Sequence, residues 1–147
     1  MCQMLTAAEL SARLRSEGYR VTSQRLAVYE ALARSGAHLT PERMLEHVRE
    51  QHPSMSLNTV YEVLETLTRL GVIRRADVSA GPRRYDANVA PHHHLVCRSC
   101  GMQADVPCDD VAGSCLQPPA PAGFEVEEAQ VAFIGLCADC RAPATSR

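Results

Sequence analysis

The sequence predicts an α+β protein of two unlike parts, and three observations carry that expectation. Capped segments of helical period fill roughly the first 70 residues, short runs of strand character follow, and six of the seven Cys lie between Cys97 and Cys140. The charge divides the same way. Up to Ala90 there are 12 Arg and 10 acidic residues, a net of +2, whereas the remainder holds 3 Arg and 7 acidic residues, a net of −4. Two domains with different electrostatic roles are expected, residues 1–86 and 87–147.

In chain order, Thr6 with Glu9 three residues later is a capping-box pattern that starts a helix to Ser16, closed by Gly18. Thr22–Arg34 carries Leu26, Tyr29, Ala31 and Leu32 near one face, with Gly36 beyond its end. Thr40 followed by Pro41 opens a third helix with Met44, Leu45 and Val48, stopping near His52 and Pro53. Ser56 caps a fourth, with Val60, Val63, Leu64, Leu67 and Leu70 on its apolar side and Gly71 at its end. Val72–Val78 and Arg83–Asp86 then read as strands about the turn Ser79–Pro82. Helices followed by a hairpin describe a winged helix-turn-helix, with the fourth helix as recognition helix and the hairpin as wing. From His92 the pattern changes to strands at His92–Cys97, Met102–Val106 and Phe124–Phe133, interrupted by a Pro-rich stretch at Gln117–Pro121 that excludes a regular helix. So small a second domain, a mixed α/β unit, is expected to need metal or a partner subunit.

Composition bounds the function. With 147 residues, 46% hydrophobic and 22% charged, the chain is globular in composition and too short for a large multidomain enzyme. It has no Trp and no Lys. No apolar run approaches the roughly 18 residues of a membrane span, and Met1–Leu10 lacks the pattern of a signal peptide, so a cytoplasmic location is expected. A net charge of −2 argues against a nucleic-acid binder only if the charge is uniform, which it is not.

In a reducing compartment seven Cys point to metal ligands or redox thiols rather than disulfides. Cys97-Arg98-Ser99-Cys100 and Cys137-Ala138-Asp139-Cys140 are two C-x-x-C knuckles, and together they complete a closed tetrahedral zinc site of structural type. The pairing depends on a sheet that brings the knuckles together, and unrelated buried or redox thiols are the alternative. A second constellation lies upstream. His92 and His94 alternate on one strand face with His93 pointing away, and Asp86 and Asp105 are candidate carboxylates; this mixed set suits Fe²⁺ or Mn²⁺, with Zn²⁺ possible, or else is a solvated polar strand. A third is Ser56–Tyr61 at the start of the fourth helix, where polar residues and the helix dipole favour phosphates and base edges, although an ordinary capped helix uses the same residues. Cys108 and Cys115 read as inert loop thiols or a redox pair, and Cys2 as incidental. Gly-rich phosphate loops, G-x-S-x-G and H-E-x-x-H are absent, and no enzyme is expected.

Val21-Thr22-Ser23-Gln24-Arg25, Ala37-His38-Leu39-Thr40, Leu57-Asn58-Thr59-Val60-Tyr61-Glu62-Val63-Leu64, Arg84-Tyr85-Asp86 and His92 to Gly101, with the final C-x-x-C, resemble the ferric uptake regulator (Fur) superfamily from about Leu10 to Cys140. The set is similar to the peroxide-sensing branch and to actinobacterial regulators of the FurA and CatR type. The resemblance implies a homodimeric, metal-dependent transcriptional repressor of double-stranded operator DNA, with structural zinc at Cys97, Cys100, Cys137 and Cys140. It places His38, Asp86, His92, His94 and Asp105 on a regulatory Fe²⁺ or Mn²⁺ site, His38 from the helical domain and the other four from hinge and sheet. Asp rather than Glu at the two acidic positions matches peroxide sensors. Release by peroxide through oxidation of a His ligand, His38 or His92, would then control a catalase or other oxidative-stress genes.

On DNA the resemblance assigns Tyr61 as the recognition-helix tyrosine, Asn58 and Thr59 to phosphates or base edges, Arg20 to the minor groove, and Gln24 and Arg25 to the backbone. Glu62 departs from the Arg or Asn often found there, and His93 and Glu128 are weak candidates for a further sensor site. Three readings compete: an iron- or zinc-responsive uptake repressor of the same superfamily, a zinc enzyme using His92, His94 and an acid, and a thiol switch at Cys108 and Cys115.

Overall fold

The structure, a computed structural model, describes residues 4–36, 38–76, 82–107, 122–125 and 131–141. Cys2, most of the expected hairpin turn, Cys108, Cys115, the Pro-rich stretch and Glu128 lie outside the described residues. The chain divides into two compact units, Met1–Ala90 and Pro91–Arg147. Among the described residues no helix is long and apolar enough to cross a membrane.

The first unit contains α1 (Ala7–Ser16), α2 (Ser23–Ser35), α3 (Pro41–Arg49) and α4 (Leu57–Arg69), followed by β1 (Arg74–Arg75) and β2 (Tyr85–Asp86). Each helix starts where a hydroxyl satisfies an orphan N–H. Thr6 accepts from the Glu9 N–H and the Glu9 carboxylate accepts from the Thr6 N–H, so the capping box is formed. Thr22, Thr40 and Ser56 accept from the N–H groups of Arg25, Arg43 and Thr59. α2 ends on Gly36 at φ 58°, a left-handed cap that a side chain would strain.

The helices meet over Leu10 and Leu14 of α1, Val28 and Leu32 of α2, Met44 and Val48 of α3, and Val60, Leu64 and Leu67 of α4, all buried. Full burial of each such side chain contributes roughly 1.5–3 kcal/mol. The Tyr29 hydroxyl accepts from the Leu5 N–H at 2.8 Å and fastens the approach to α1 onto α2.

The hairpin starts later than the strand pattern suggested. Val72 and Ile73 are buried in the helical core, and among the described residues the antiparallel ladder pairs Arg74 with Asp86 and Arg75 with Tyr85, while 77–81 of the expected hairpin lie outside the described residues. The domain boundary also moves. It was expected after Asp86, but Ala87 is buried in the helical core and the Asp86 carboxylate accepts from the Asn88 N–H at 2.8 Å, which keeps the chain to Ala90 with the first unit.

Among the described residues the second unit holds a three-stranded sheet in the order β4-β3-β5, with β3 (His92–Cys97) central, β4 (Gln103–Pro107) antiparallel to it and β5 (Ala132–Gly135) parallel to it. α5 (Ala138–Arg141) is a single helical turn that periodicity did not reveal. Of the expected strand Phe124–Phe133, residues 126–130 lie outside the described residues, and the described part begins at Ala132 and runs on to Gly135. Pairing of His94 through Cys97 with Ala132 through Gly135 sets its position, while Phe124 is exposed and outside any strand. Val96 and Cys97 are the buried apolar residues of this unit among the described residues, a very small core.

Candidate metal centres and nucleic-acid interface

The two knuckles meet because β3 and β5 run parallel. Cys97 ends β3 opposite Gly135, so the chain leaves both strands at the same edge of the sheet, into Cys100 on one side and Cys137 and Cys140 on the other. Gly101, at φ 73°, closes the first knuckle with its N–H donating to the Cys97 carbonyl at 2.9 Å. The four sulfurs all lie within 4.8 Å of one another. The Cys100 and Cys137 sulfurs are 3.8 Å apart, which is the edge of a tetrahedron whose metal–sulfur bonds are about 2.3 Å.

The electrostatics fit a cation. N–H groups of Cys100, Cys137 and Ser99 point at the Cys97 sulfur and hold that thiol down to about 6. Ser99 pulls Cys140 in the same direction, but the neighbouring Cys137 and Cys100 thiols outweigh it and push Cys140 up to about 12. Four thiols gathered this closely cannot all ionise without a positive charge among them, and a divalent metal supplies it. The donor set and its spacing fit zinc. Ser99, inside the first knuckle, is a contributor that reading by motif passed over.

In the same unit His92 and His94 lie on one face of β3, with ring centroids 4.6 Å apart. Asp105 is opposite His94 in the ladder with β4, so its carboxylate lies 3.5 Å from His92 Nε2 and 3.8 Å from His94 Nδ1. Both imidazoles are buried and Asp105 is about one-third exposed. These separations exceed an ordinary hydrogen bond, yet donors each about 2.1 Å from one ion reach up to about 4.2 Å from one another. Two imidazoles and a carboxylate suit Fe²⁺, Mn²⁺ or Zn²⁺. His93 is also buried; its ring meets Phe133 edge-on at 6.3 Å, on the face away from His92 and His94.

His38 and Asp86 pair within the helical unit, Nε2 to Oδ2 at 3.4 Å, both buried. The Tyr85 N–H donates to the Leu39 carbonyl at 3.0 Å and the Arg84 guanidinium donates to the His38 carbonyl at 2.9 Å, so β2 carries Asp86 to His38. Asp86 was expected with the hinge and sheet, and the structure places it with His38 instead because β2 pairs with β1 and with Leu39. Within the helical unit His38 lies with Asp86, and within the sheet unit His92 lies with His94 and Asp105.

The exposed stripe of α4 is Asn58, Tyr61, Glu62, Glu65 and Arg69. Ser56 and Thr59 share a hydroxyl hydrogen bond of 2.8 Å, and Asn58 Nδ2 donates to Glu62 Oε1 at 2.8 Å. The Tyr61 hydroxyl donates to Glu42 Oε1 at 3.3 Å. Glu42 stays below the usual carboxylate range, held chiefly by its own N–H at the start of α3 and also by Thr40 and Tyr61. This acid in the first turn of a neighbouring helix had no signal in sequence. Between α4 and the hairpin, Tyr61, Arg69, Arg75 and Arg83 line a groove of about 360 Å³. Arg20 and Gln24 are exposed, whereas Arg25 donates to the Arg20 carbonyl and stacks over the Tyr19 ring at 5.6 Å, so its head group is engaged within the unit.

Known proteins are similar to this chain in sequence and in fold. The profile of the ferric uptake regulator family matches residues 16–134. The chain is 39% identical over 145 residues to the transcriptional regulator FurA of Mycobacterium tuberculosis, covering 98% of each chain. It is 27% identical over 135 residues to the peroxide-responsive repressor PerR of Staphylococcus epidermidis, covering 90% of this chain and 89% of that one. The solved structure of the Helicobacter pylori ferric uptake regulator superposes with a TM-score of 0.73 at 23% identity, covering 95% of this chain and 97% of that one, a likeness of fold. A two-unit fold with a four-cysteine cluster, matched along nearly its whole length, makes this chain a member of the ferric uptake regulator family, and so a metal-responsive transcriptional regulator rather than an enzyme.

Proposed function

We propose that this chain is a homodimeric repressor of double-stranded operator DNA that holds structural Zn²⁺ on Cys97, Cys100, Cys137 and Cys140, carries regulatory Fe²⁺ or Mn²⁺, and is released by peroxide. The observation that carries the regulatory reading is the convergence of two buried imidazoles, His92 and His94, with the Asp105 carboxylate on one sheet. His38 and Asp86 supply the remaining donors. An ion drawing on both sets would couple the helical unit to the sheet unit and favour the DNA-competent form.

Bound Fe²⁺ supplies reducing chemistry toward peroxide that Mn²⁺ does not. The buried imidazoles would hold the donor geometry, and His38 or His92 would gain one oxygen from the peroxide as its O–O bond breaks and water leaves, which would end metal binding. Two Asp at the acidic positions and the similarity to a peroxide-responsive repressor support this reading. DNA contacts are assigned to Asn58, Thr59 and Tyr61 of α4, with Arg20, Gln24 and Arg25 beside them; the arginine-lined groove next to α4 supports that placement. Homodimerisation is supported by β5, an outer strand among the described residues that exposes Phe133 and, at 69%, Ile134.

A second reading, an iron- or zinc-responsive uptake repressor, is favoured by the higher identity to the ferric uptake regulation protein 2 of Mycolicibacterium fortuitum, 37% over 140 residues, than to the peroxide-responsive repressor. Operator binding by protein loaded with Fe²⁺ or Mn²⁺, with and without peroxide, separates the two. A peroxide sensor loses DNA in the iron form and keeps it in the manganese form, and mass spectrometry finds added oxygen on His38 or His92. Release by chelator alone, with no oxygen added to either residue, establishes the second reading.

A further inference from the structure

We propose that Glu62 sets base specificity: together with Asn58 it makes α4 read a base that carries an exocyclic amino group, cytosine or adenine, and reject guanine and thymine at that position. The inference rests on the reading of α4 as the helix that enters the major groove.

Asn58 and Glu62 are four residues apart on the exposed stripe and joined at 2.8 Å. A carboxylate only accepts, so the Asn58 atom facing it must be the amide nitrogen, and the orientation of the carboxamide follows from chemistry. One N–H of Asn58 is thereby spent. What the pair turns outward is the Asn58 carbonyl oxygen and the second Glu62 oxygen, two acceptors side by side, with one remaining Asn58 N–H.

The major-groove edges of the bases answer such a surface unequally. Cytosine presents its N4 amino group and adenine its N6 amino group beside N7, whereas guanine presents O6 and N7 and thymine O4. Acceptors against acceptors repel. Cations lie toward the hairpin, where Arg75 and Arg83 line the groove beside the Arg69–Glu65 pair. A carboxylate repels phosphate, so the contact that suits Glu62 on DNA is the amino group of a base. Tyr61 next to it is fastened to Glu42, so the neighbouring reader is also held in place.

The test selects a random duplex pool with the full-length, zinc- and Mn²⁺-loaded protein, as wild type and as Glu62→Gln. Glu62 is exposed and its packing neighbours do not change, and matching melting curves check that the variant folds. Glutamine can keep the bond to Asn58 but turns an amide N–H outward. The expected result is one column per half-site in which wild type prefers cytosine or adenine about tenfold over guanine and thymine, falling below about threefold in Glu62→Gln while the other columns hold. Cytosine in that column assigns the contact to the second Glu62 oxygen; adenine assigns it to Asn58, with Glu62 as its positioning residue. Identical base preferences in the two proteins, or guanine or thymine in the column that changes, overturn the role of Glu62 and leave the DNA reading of α4 standing. A wild type that selects no sequence overturns the DNA reading beneath it as well.

Discussion

Cys97 shows how a single side chain reports on its setting. Backbone N–H groups lower its thiol to about 6 from an ordinary 9. A lowered folded-state value stabilises the fold fully above the unfolded value, and the contribution fades as pH falls from about 9 through about 6. Asp105 makes a prediction at the same scale. It is the carboxylate between two buried imidazoles, so Asp105→Ala should weaken Mn²⁺ binding at least about tenfold while leaving zinc content unchanged. Equilibrium dialysis with metal analysis measures both. The cysteine and His92–His94 sets were legible because their spacing is local, whereas the partnership of Glu42 with Tyr61 spans two helices and left no trace in sequence.

Among the elements, α4 joins stability to recognition. Ser56→Ala removes the cap on the Thr59 N–H and the hydroxyl bond to Thr59, and should cost about 1 kcal/mol. Leu64→Ala empties a fully buried position and should cost about 2–5 kcal/mol. Denaturant unfolding of the helical unit orders them, and a smaller loss for Leu64→Ala than for Ser56→Ala would mean that the core assignment is wrong. The four helices could be read from sequence because hydroxyl caps, Gly stops and apolar period agree at every one. The hairpin and the last strand were misjudged at their ends because β-branched residues suit a strand and a core equally. Val72 and Ile73 went to the core, and strand pairing with β3, a long-range choice, picked Ala132–Gly135.

As a whole the molecule is unevenly stabilised. Among the described residues nearly all the buried apolar ones belong to the helical unit, so the sheet unit is expected to depend on the proposed zinc cluster and partner surface. Stripping zinc with a strong chelator under reducing conditions should abolish the sheet unit's cooperative transition and leave the helical one, read by calorimetry; a single unchanged transition would show that the cluster is not structural. Ile134, the most exposed large apolar residue described, should anchor the dimer, and Ile134→Asp should give a monomer in sedimentation measurements. A dimer of unchanged mass would place the interface elsewhere.

The helical half and the two C-x-x-C knuckles could be read from residues alone, because caps, periods and C-x-x-C spacings act over a few positions. The net charge of −2 is likewise a sum of a basic half and an acidic half, and only the basic half need approach DNA. Three matters waited for tertiary structure: that parallel pairing of β3 with β5 unites the knuckles, that Asp86 sits with His38 in the helical unit, and that Glu62 clasps Asn58. Each depends on which segments pack or which rotamers meet, and folding settles that through long-range pairing and burial.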